Sequence, residues 1–269
     1  MTLTATRIRD LLAAHDLRPS KALGQHFLAD PNTARRIVRL AGVQPGDRVV
    51  EVGPGVGSLT VALLEAGARV TALELDRHIV PVLAEVTRGR AVEIVTGDAL
   101  TVDWGALLPG PGWKMVANLP YNVGTSLLLR ALESAPGIDR FLVMVQREVG
   151  ERLAAGVGDP AYGAVSVRAA WFATATVVGR VPPSVFLPPP KVESALVRLE
   201  RRTAPPVAVR NPDRMFTLVR AGFATRRKTL RNAIGGLVSA DAFAAAGVAP
   251  SARAETLGLE EWARLSDAG

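Results

Sequence analysis

The tetrapeptide Asn118-Leu119-Pro120-Tyr121 brings together groups that could hold a planar amino nitrogen for reaction. An amino group on an aromatic base is a poor nucleophile, because its lone pair is delocalised into the ring. Two acceptors for its hydrogens, the Asn118 side-chain oxygen and a backbone carbonyl of the Leu119-Pro120 turn, would free that lone pair. Proline fixes such a turn, and Tyr121 is placed to stack on the base. The tetrapeptide therefore predicts methyl transfer to a planar nitrogen, a reaction that needs no general base.

The segment Gly53-Pro54-Gly55-Val56-Gly57 predicts a cofactor-binding loop. Glycine allows a sharp turn and a close approach of the backbone to a ligand, and a helix is expected to follow directly. Ser58 stands where the dinucleotide-binding fingerprint has its third glycine, so the fit to that pattern is incomplete. With Glu51 the segment reads E-x-G-x-G-x-G, which resembles the first motif of Rossmann-like methyltransferases. The expected cofactor is S-adenosylmethionine, with Gly53 and Gly55 among its contacts.

Two more carboxylates stand at the ends of predicted strands. Glu74 ends the second strand, where a carboxylate can accept the ribose hydroxyls of a nucleoside. Asp98 ends the third strand, where it could accept a hydrogen bond from an adenine amino group. Each of them, taken singly, could be a solvated turn acid. Together with the glycine loop they predict a nucleoside cofactor lying across one edge of the sheet.

The elements that must position these residues alternate in type between Arg48 and about Gln146. Short apolar runs separated by helical patterns indicate a parallel sheet with crossover helices, and nearly continuous apolar strands indicate a sheet covered on both faces. The predicted strands are Arg48–Val52, Arg69–Leu75, Val92–Val95, Lys114–Ala117 and Phe141–Val145. The predicted helices are Ser58–Ala66 and His78–Val86.

The pattern changes near residue 203, which predicts a domain boundary there. Before it we expect a helix at Arg147–Ala155, strands at Val165–Val178 and Val192–Leu199, and a rigid proline-rich loop at Val181–Pro190. After the linker Thr203–Pro212 only helical patterns occur, among them Pro212–Ala224 and Lys228–Val238. The predicted domains are therefore 1–202 and 203–269.

Composition excludes several classes of protein. Hydrophobic residues make up 48% of the 269 residues, enough for a sizeable core. The absence of cysteine excludes disulfides, thiolate metal sites and cysteine nucleophiles. The three histidines, His15, His26 and His78, are scattered, so no metal is expected. The N-terminus does not have the pattern of a signal peptide, and no run of 18 apolar residues occurs. We therefore expect no membrane span and a cytoplasmic location.

Positive charge is concentrated in one segment. The net charge is +7. Residues 201 to 231 include nine basic residues and one acidic residue, Asp213. This segment therefore carries a net charge of +8, and the rest of the chain carries −1. Arginine-rich usage alone could reflect genomic base composition, but clustering favours a polyanionic partner such as nucleic acid. The nine basic residues are Arg201, Arg202, Arg210, Arg214, Arg220, Arg226, Arg227, Lys228 and Arg231.

One aromatic residue lies in the proline-rich loop. Phe186 could form the second wall of a slot for an extruded base. It could equally be a hydrophobic residue that anchors the loop, and the sequence does not decide between the two.

The chain as a whole resembles the ribosomal RNA adenine N6,N6-dimethyltransferase family, and within it the bacterial members that act on the small subunit. The resemblance covers nearly the whole length. It rests on Leu23–Leu28, the glycine loop with Leu59-Thr60, Glu74, Asp98, Asn118–Tyr121, Val145–Val149, Ala161–Gly163, Phe186–Ser194, Phe223–Arg231 and Arg253–Glu255.

The resemblance implies a class I, Rossmann-like domain with a mostly parallel seven-stranded sheet, an α/β fold, followed by a small all-helical domain. It implies S-adenosylmethionine as cofactor, with contacts from His26, Leu28, Gly53, Glu74, Asp98 and Asn118. Many bacterial members have Asn at the position of His26. It also implies two methyl transfers to each of two adjacent adenosines, in the 3′-terminal hairpin loop of 16S RNA within an immature small subunit.

The RNA contacts expected from charge and resemblance are Lys191, Arg226, Arg227, Lys228 and Arg231. The last four are expected at the start of a helix, where they would hold phosphates. The enzyme is expected to act as a monomer. Two other readings stay open: a large-subunit adenine methyltransferase of the antibiotic-resistance type, and a non-catalytic ribosome assembly factor. An intact glycine loop and tetrapeptide speak against the second.

Overall fold

The computed structural model describes residues 3–20 and 22–269. The helices are α1 Ala5–Ala14, α2 Pro31–Leu40, α3 Ser58–Glu65, α4 Val80–Thr87, α5 Trp104–Leu107, α6 Gly124–Ser134, α7 Arg147–Ala154, α8 Ala164–Phe172, α9 Pro212–Ala224, α10 Leu230–Ile234, α11 Ala240–Ala245 and α12 Leu259–Asp267. The strands are β1 Phe27–Leu28, β2 Arg48–Val52, β3 Arg69–Glu74, β4 Val92–Thr96, β5 Trp113–Asn118, β6 Ile138–Gln146, β7 Ala173–Val181, β8 Phe186–Leu187 and β9 Ser194–Arg201. Within these ranges no helix is long and apolar enough to cross a membrane.

Seven strands form one sheet in the order β4-β3-β2-β5-β6-β9-β7. β2 pairs in parallel with both β3 and β5, β3 pairs with β4, and β5 pairs with β6. β9 runs antiparallel to β6. The short strands β1 and β8 form a separate antiparallel pair. The predicted α/β fold with a mostly parallel seven-stranded sheet is confirmed.

The order of the strands creates a switch point between β2 and β5. From β2 the chain moves outward to β3 and β4, and then returns to the other side of β2 as β5. In open α/β sheets a ligand binds outside the carboxyl ends of the strands at such a point. Gly53, Glu74, Asp98 and Asn118 stand at the ends of these four strands. The topology therefore brings together residues that are far apart in sequence.

Helices cover the sheet and bury its apolar residues. Leu63 of α3, Val116 of β5 and Leu142 of β6 belong to one buried cluster. Leu11 of α1 and Val56 of the glycine loop belong to another. These five side chains are at most 1% exposed. Burial of such aliphatic side chains stabilises the fold by roughly 1.5 to 3 kcal/mol each, and it fixes the glycine loop on a rigid base.

The chain divides into two compact units, one of residues up to 150 with 176–201, and one of residues 151–175 with 202–269. The second unit has its own core, in which Trp262 is completely buried. The predicted boundary at 202/203 lies next to the observed break at 201/202. Residues 151–175, which the sequence assigned to the first domain, pack with the helical unit instead.

The predicted strand Val165–Val178 is wrong in its first half. Residues Ala164–Phe172 form helix α8, and the strand β7 begins at Ala173. An apolar run of this length fits a buried helix as well as a strand. Val167 and Trp171 of the helix are buried in the core of the second unit, so tertiary packing selects the helix.

The proline-rich segment Val181–Pro190 is more regular than predicted. It contains a 3-10 turn at Pro183–Val185 and the strand β8, which pairs with β1. Leu28 lies opposite Phe186 and Phe27 opposite Leu187. Neither of these two-residue strands was predicted from the sequence, because such short elements form only through their pairing.

Arg201 holds the carboxyl end of α6. Its guanidinium donates to the carbonyls of Leu132 at 2.8 Å, Ala135 at 3.1 Å and Ile138 at 2.6 Å. The last carbonyls of a helix lack partners within the helix, and the planar fork of arginine suits several of them at once. This basic residue therefore serves the fold of the first unit.

We predict that Arg201→Met lowers the free energy of unfolding by about 2 kcal/mol or more, because partly buried carbonyls lose their donors. Chemical denaturation followed by circular dichroism measures the change. The matched control is Arg198→Met on the same strand, whose exposed guanidinium has no hydrogen-bond partner among the described residues. Equal stability of the two variants would contradict this role of Arg201.

Candidate active site

A cavity of about 300 Å³ opens at the carboxyl ends of β2, β3, β4 and β5. All of its lining residues belong to the first unit. Ten of the predicted site residues line it: His26, Leu28, Gly53, Gly55, Glu74, Asp98, Asn118, Leu119, Pro120 and Tyr121. The structure thus brings the predicted cofactor contacts and the tetrapeptide to one place.

The glycine loop has a backbone that only glycine adopts easily. Gly53, Gly55 and Gly57 have φ values of +68°, +55° and +89°, a region that strains residues with a Cβ. A Cβ on Gly55 would lie 2.9 Å from the Phe27 ring. The loop is therefore a close-fitting cradle whose space a side chain would fill.

Glu74 presents a buried carboxylate to the cavity. Its Oε2 accepts from the Gly55 backbone N–H at 2.9 Å, and its Oε1 accepts from the Asp76 N–H at 2.9 Å. Burial raises the pKa of Glu74, and these two hydrogen bonds oppose the rise. Each carboxylate oxygen can accept a second hydrogen bond. Glu74 thus keeps acceptor capacity for hydroxyl groups of a ligand.

Asp98 follows β4, the strand next to the one that ends at Glu74. Its Oδ1 accepts from the Leu100 backbone N–H at 2.9 Å, which holds the turn after β4. Leu75 and Leu100, beside the cavity, are 53% and 37% exposed. Two exposed leucines flanking an acceptor suit a flat, apolar group with an amino edge. These leucines cannot be found from the sequence, because an apolar residue in a turn carries no signal of its own.

Glu51 is a second buried carboxyl on the cavity wall. Its Oε2 accepts from the Thr60 hydroxyl at 2.6 Å. Burial raises the pKa of Glu51 to about 8; the Thr60 hydrogen bond opposes the rise and the Glu74 charge adds to it. The sequence pattern contained Glu51, but our prediction did not include it among the site residues.

The two ends of the Asn118 carboxamide differ in their hydrogen bonding. Its Nδ2 donates to the His26 carbonyl at 3.1 Å. Its Oδ1 is buried and has no hydrogen-bond partner among the described residues. A buried acceptor without a donor is costly unless a ligand supplies one. The carboxamide therefore offers a free acceptor to whatever enters the cavity.

The backbone of the same turn offers another acceptor. The Pro120 carbonyl accepts from Gly124 N–H at 2.7 Å at the start of α6. The Leu119 carbonyl accepts no hydrogen bond from any group in the described part of the chain. Pro120 has no N–H and fixes the turn. Of the two carbonyls in the Leu119-Pro120 turn, the free one is therefore that of Leu119.

Tyr121 is held at both ends of its side chain. Its hydroxyl hydrogen-bonds the Ser194 hydroxyl at the start of β9, and its ring centroid lies 5.3 Å from that of His26, with a tilt of 31°. Burial raises the pKa of Tyr121, so the phenol stays neutral. The pairing with Ser194, 73 positions later in the sequence, had no signal that sequence analysis could detect.

Phe186 does not line the cavity. Its side chain is 4% exposed and packs in the core cluster that contains Leu28. In this structure Phe186 anchors the loop, which is the alternative that the sequence left open. Lys191 of the same loop is exposed.

The basic residues of the second unit differ from expectation. Arg226, Arg227 and Lys228 lie in the turn between α9 and α10 rather than at a helix start, and Arg231 is on α10. The helix α9 ends at Ala224. The prediction that these residues stand at the start of a helix is thus wrong for the first three of them.

These basic residues also differ in their availability. The Arg226 guanidinium donates to the Pro160 carbonyl at 3.0 Å and lies 3.6 Å from Glu255. Arg227, Lys228 and Arg231 are exposed, and their side chains have no hydrogen bond or ion pair with any other described residue. Arg226 is therefore partly engaged within the second unit, and the other three remain available for an anionic partner.

The fold and the cavity together define a class I methyltransferase that depends on S-adenosylmethionine. The glycine cradle, the carboxylate of Glu74 and the acceptor of Asp98 fit a nucleoside with a positively charged side arm. The cavity also contains the unpaired Asn118 oxygen. Among the described residues, no group of three or more potential metal ligands comes together.

Comparison with known proteins narrows this class. The family described as ribosomal RNA adenine dimethylase matches residues 17–268. Ribosomal RNA small subunit methyltransferase A of Streptomyces coelicolor is 47% identical, over 97% of this chain and 94% of its own length. The protein of the same name from Thermobifida fusca is 46% identical, over 98% and 95%. The chain therefore belongs to the ribosomal RNA adenine dimethylase family.

Solved structures agree with this assignment. A dimethyladenosine transferase from Plasmodium falciparum superimposes with a TM-score of 0.72 at 25% identity, over 89% of this chain and 96% of that one. A 23S rRNA methyltransferase, ErmE, superimposes with a TM-score of 0.68 at 28% identity, over 90% and 98%. The protein is thus an enzyme that dimethylates adenine in ribosomal RNA with S-adenosylmethionine.

We predict that Glu51→Gln reduces the pH dependence of stability. The pKa of Glu51 is about 8 in the folded protein, against 4.5 for an ordinary carboxyl. The folded state therefore holds a proton that the unfolded state releases, so the contribution of Glu51 is complete below pH 4.5 and is lost as the pH rises through 8. Glutamine keeps an acceptor for Thr60 and does not titrate. Denaturation at pH 5 and pH 8 measures the difference, and parallel curves for both proteins would contradict the prediction.

Proposed function

We propose that this enzyme dimethylates the N6 amino groups of two adjacent adenosines in the 3′-terminal hairpin loop of 16S ribosomal RNA, within an immature small subunit. The observation that carries the chemistry is the buried, unpartnered Oδ1 of Asn118 in the cavity. The choice of the small subunit is supported by the names of relatives at 46 to 48% identity. The two adenosines and the immature subunit come from the family resemblance.

The residues suited to hold the cofactor are the glycine loop, Glu74, Asp98 and Leu28. S-adenosylmethionine, when bound, supplies an electrophilic methyl group on a sulfonium. The Gly53–Gly57 loop gives the close approach, Glu74 accepts ribose hydroxyls, and Asp98 accepts from the adenine amino group. Leu28, at the cavity wall and 3% exposed, contributes apolar contact.

The tetrapeptide would orient the substrate amino group. Asn118 Oδ1 and the Leu119 carbonyl accept its two hydrogens, so the nitrogen lone pair is no longer tied to the ring and points towards the electrophilic carbon. Tyr121 stacks on the base and sets its distance. Held in this way, the nitrogen would receive the methyl group from the bound cofactor, which would be left as a thioether, and the two acceptors would hold the nitrogen's hydrogens until one proton leaves to solvent.

The two acceptors also allow a second transfer. After the first methyl group is added, one hydrogen remains on N6, and one of the two acceptors can still hold it. Both acceptors are neutral, so the added methyl group does not have to displace a charge. The same site can therefore carry out both methylations of one adenosine.

The exposed basic residues of the second unit are the proposed RNA contacts. Arg227, Lys228 and Arg231 are free to bind phosphates, which position an RNA without reading its sequence. Lys191, exposed between β8 and β9 of the first unit, is a further candidate. Arg226 would act mainly by supporting the turn. Recognition of the RNA would then rest on the shape of its helix and on the unpaired bases of its loop.

Two rival functions have less support. The large-subunit type shares the fold, as the similarity to ErmE illustrates, but that identity is 28% against 47% for the small-subunit relatives. A purely structural assembly factor has no need for an unpaired acceptor in a complete cavity. We also propose that the enzyme acts as a monomer, and a ribosomal substrate favours the cytoplasm.

We predict that Asn118→Ala reduces methyl transfer by at least about 100-fold, as expected when an oriented acceptor is lost from the transition state. RNA binding should change by less than about twofold, because the residue makes no phosphate contact. Methyl transfer is measured by incubating the variant with labelled cofactor and unmodified small subunits and then mapping the modified base. RNA binding is measured by a filter-binding assay.

The matched control is Asn32→Ala, an exposed asparagine on α2 outside the cavity. This control should behave as the unsubstituted protein. Normal turnover by the Asn118→Ala variant would contradict the role of the tetrapeptide. Methylation mapped to the large subunit would contradict the substrate assignment while leaving the chemistry intact.

We also predict that the triple substitution of Arg227, Lys228 and Arg231 by Ala weakens RNA binding and flattens its salt dependence. Each phosphate contact contributes about 0.7 to 0.9 to the slope of log affinity against log salt, so the slope should fall by about 2 to 3. The measurement is a binding titration at several salt concentrations.

The control for this experiment removes the same charge elsewhere. Arg35, Arg39 and Arg69 are exposed basic residues of the first unit, and their triple Ala variant should keep the original slope. An unchanged slope in the first variant would place the RNA contacts on other residues. A similar fall in both variants would mean that only net charge matters.

A further inference from the structure

His26 lies directly opposite a proline in the small antiparallel sheet. The register pairs Phe27 with Leu187 and Leu28 with Phe186, so the next pair outward is His26 and Pro188. Proline has no N–H and cannot donate to the ladder. The His26 side chain bonds at this point instead, with Nδ1 2.8 Å from the Pro188 carbonyl. Since a carbonyl can only accept, Nδ1 is the donor.

The same residue also contacts the tetrapeptide twice. Its backbone carbonyl accepts from Asn118 Nδ2 at 3.1 Å, and its ring lies against that of Tyr121, with centroids 5.3 Å apart. Tyr121 is tied at its other end to Ser194. His26 therefore stands between the loop that ends in Pro188 and the turn that presents the reacting acceptors.

We propose that the His26 side chain is a positioning residue for methyl transfer, which joins the catalytic turn to the proline-rich loop through Pro188. The proposal rests on the proposed function. The hydrogen bond to Pro188 fixes the ring, the ring limits the movement of Tyr121, and the backbone of the same residue keeps Asn118 Oδ1 turned towards the cavity. This role differs from a direct contact with the cofactor.

The positioning role should matter most for the second methylation. A monomethylated amino group is bulkier and offers one hydrogen instead of two, so it depends more on the position of Tyr121 and on the remaining acceptor. A small loss of alignment in a reacting pair has a large effect on rate. A variant in which His26 no longer holds the catalytic turn in place should therefore leave monomethyladenosine as a major product.

Three variants separate the two contacts of the side chain. His26→Asn places its Nδ2 the same number of bonds from the backbone as Nδ1 of histidine, so it keeps a donor for Pro188 without the ring. His26→Phe keeps a ring without the donor. His26→Ala removes both. Each is tested on unmodified small subunits, with single-turnover rates, the ratio of mono- to dimethyladenosine by mass spectrometry, and cofactor affinity by calorimetry.

We expect His26→Ala and His26→Phe to lose about tenfold in the rate of methyl transfer, the effect of one lost hydrogen bond on alignment, and to accumulate the monomethyl product. His26→Asn should recover only in part, to within about threefold of the original rate, since it keeps the bond to Pro188 but lacks the ring that limits the movement of Tyr121. Cofactor affinity should stay within about twofold in all three, because the side chain acts on the turn. His78→Ala, which removes an exposed histidine outside the cavity, should change none of these quantities.

Two results would overturn the inference. One is a weaker cofactor affinity with an unchanged rate and product ratio, which would make His26 only a cofactor contact. The other is an unchanged rate and product ratio in His26→Phe, which would show that the bond to Pro188 has no role. If the unsubstituted enzyme itself fails to dimethylate small subunits, the proposed function fails instead, and the two failures are thereby distinguished. Circular dichroism of each variant verifies folding, and should His26→Ala unfold, the comparison of Asn with Phe still decides.

Discussion

The hydrogen bond from Asn118 Nδ2 to the His26 carbonyl determines which end of a carboxamide faces the cavity. The two ends of this group have opposite hydrogen-bonding character, so the bond decides that the site presents an acceptor and not a donor. The arrangement depends on three elements that are distant in sequence: β5, which ends at Asn118, β1, which follows His26, and β8, which pairs with β1. Folding thus keeps an oxygen unpaired in a buried place, at a cost that a substrate hydrogen can offset.

Two buried carboxyl groups near the glycine loop set the electrostatic character of the same cavity. Burial raises the pKa of Glu51 and Glu74, because a low-dielectric environment penalises the charged form. A ligand that carries positive charge would favour ionisation of both groups. A cavity with two such carboxyls is therefore suited to a cation, and it resists anionic nucleotides of similar shape. Backbone N–H groups of Gly55 and Asp76 already hold the Glu74 carboxylate, so little reorganisation is needed when a ligand arrives.

Arginine has two different uses in this protein, which net charge alone conceals. Arg201 binds carbonyls at the end of α6, and Arg226 binds a carbonyl within the second unit. These side chains stabilise the fold, and both are engaged, Arg226 only in part, in contacts within the protein. Arg227 and Arg231 are exposed and have no such contacts among the described residues. The surface available to a polyanion is therefore smaller than the +8 segment indicates, and it is concentrated in a turn.

The sequence by itself determined the features that depend on local pattern and chemistry. The glycine spacing, the apolar strands with Glu74 and Asp98 at their ends, and Asn118–Tyr121 were sufficient for the fold class, the cofactor and the reaction. Only the tertiary structure decided that residues 164–172 form a helix, that Phe186 is buried, that the Leu119 carbonyl is the free one, and that Ser194 holds Tyr121. The physical reason is that a periodic pattern indicates which face of a helix or strand a residue occupies. Hydrogen-bond partners and buried contacts, in contrast, are made with residues far away in the chain. A short apolar run, a carbonyl or an arginine has no fixed partner until folding supplies one.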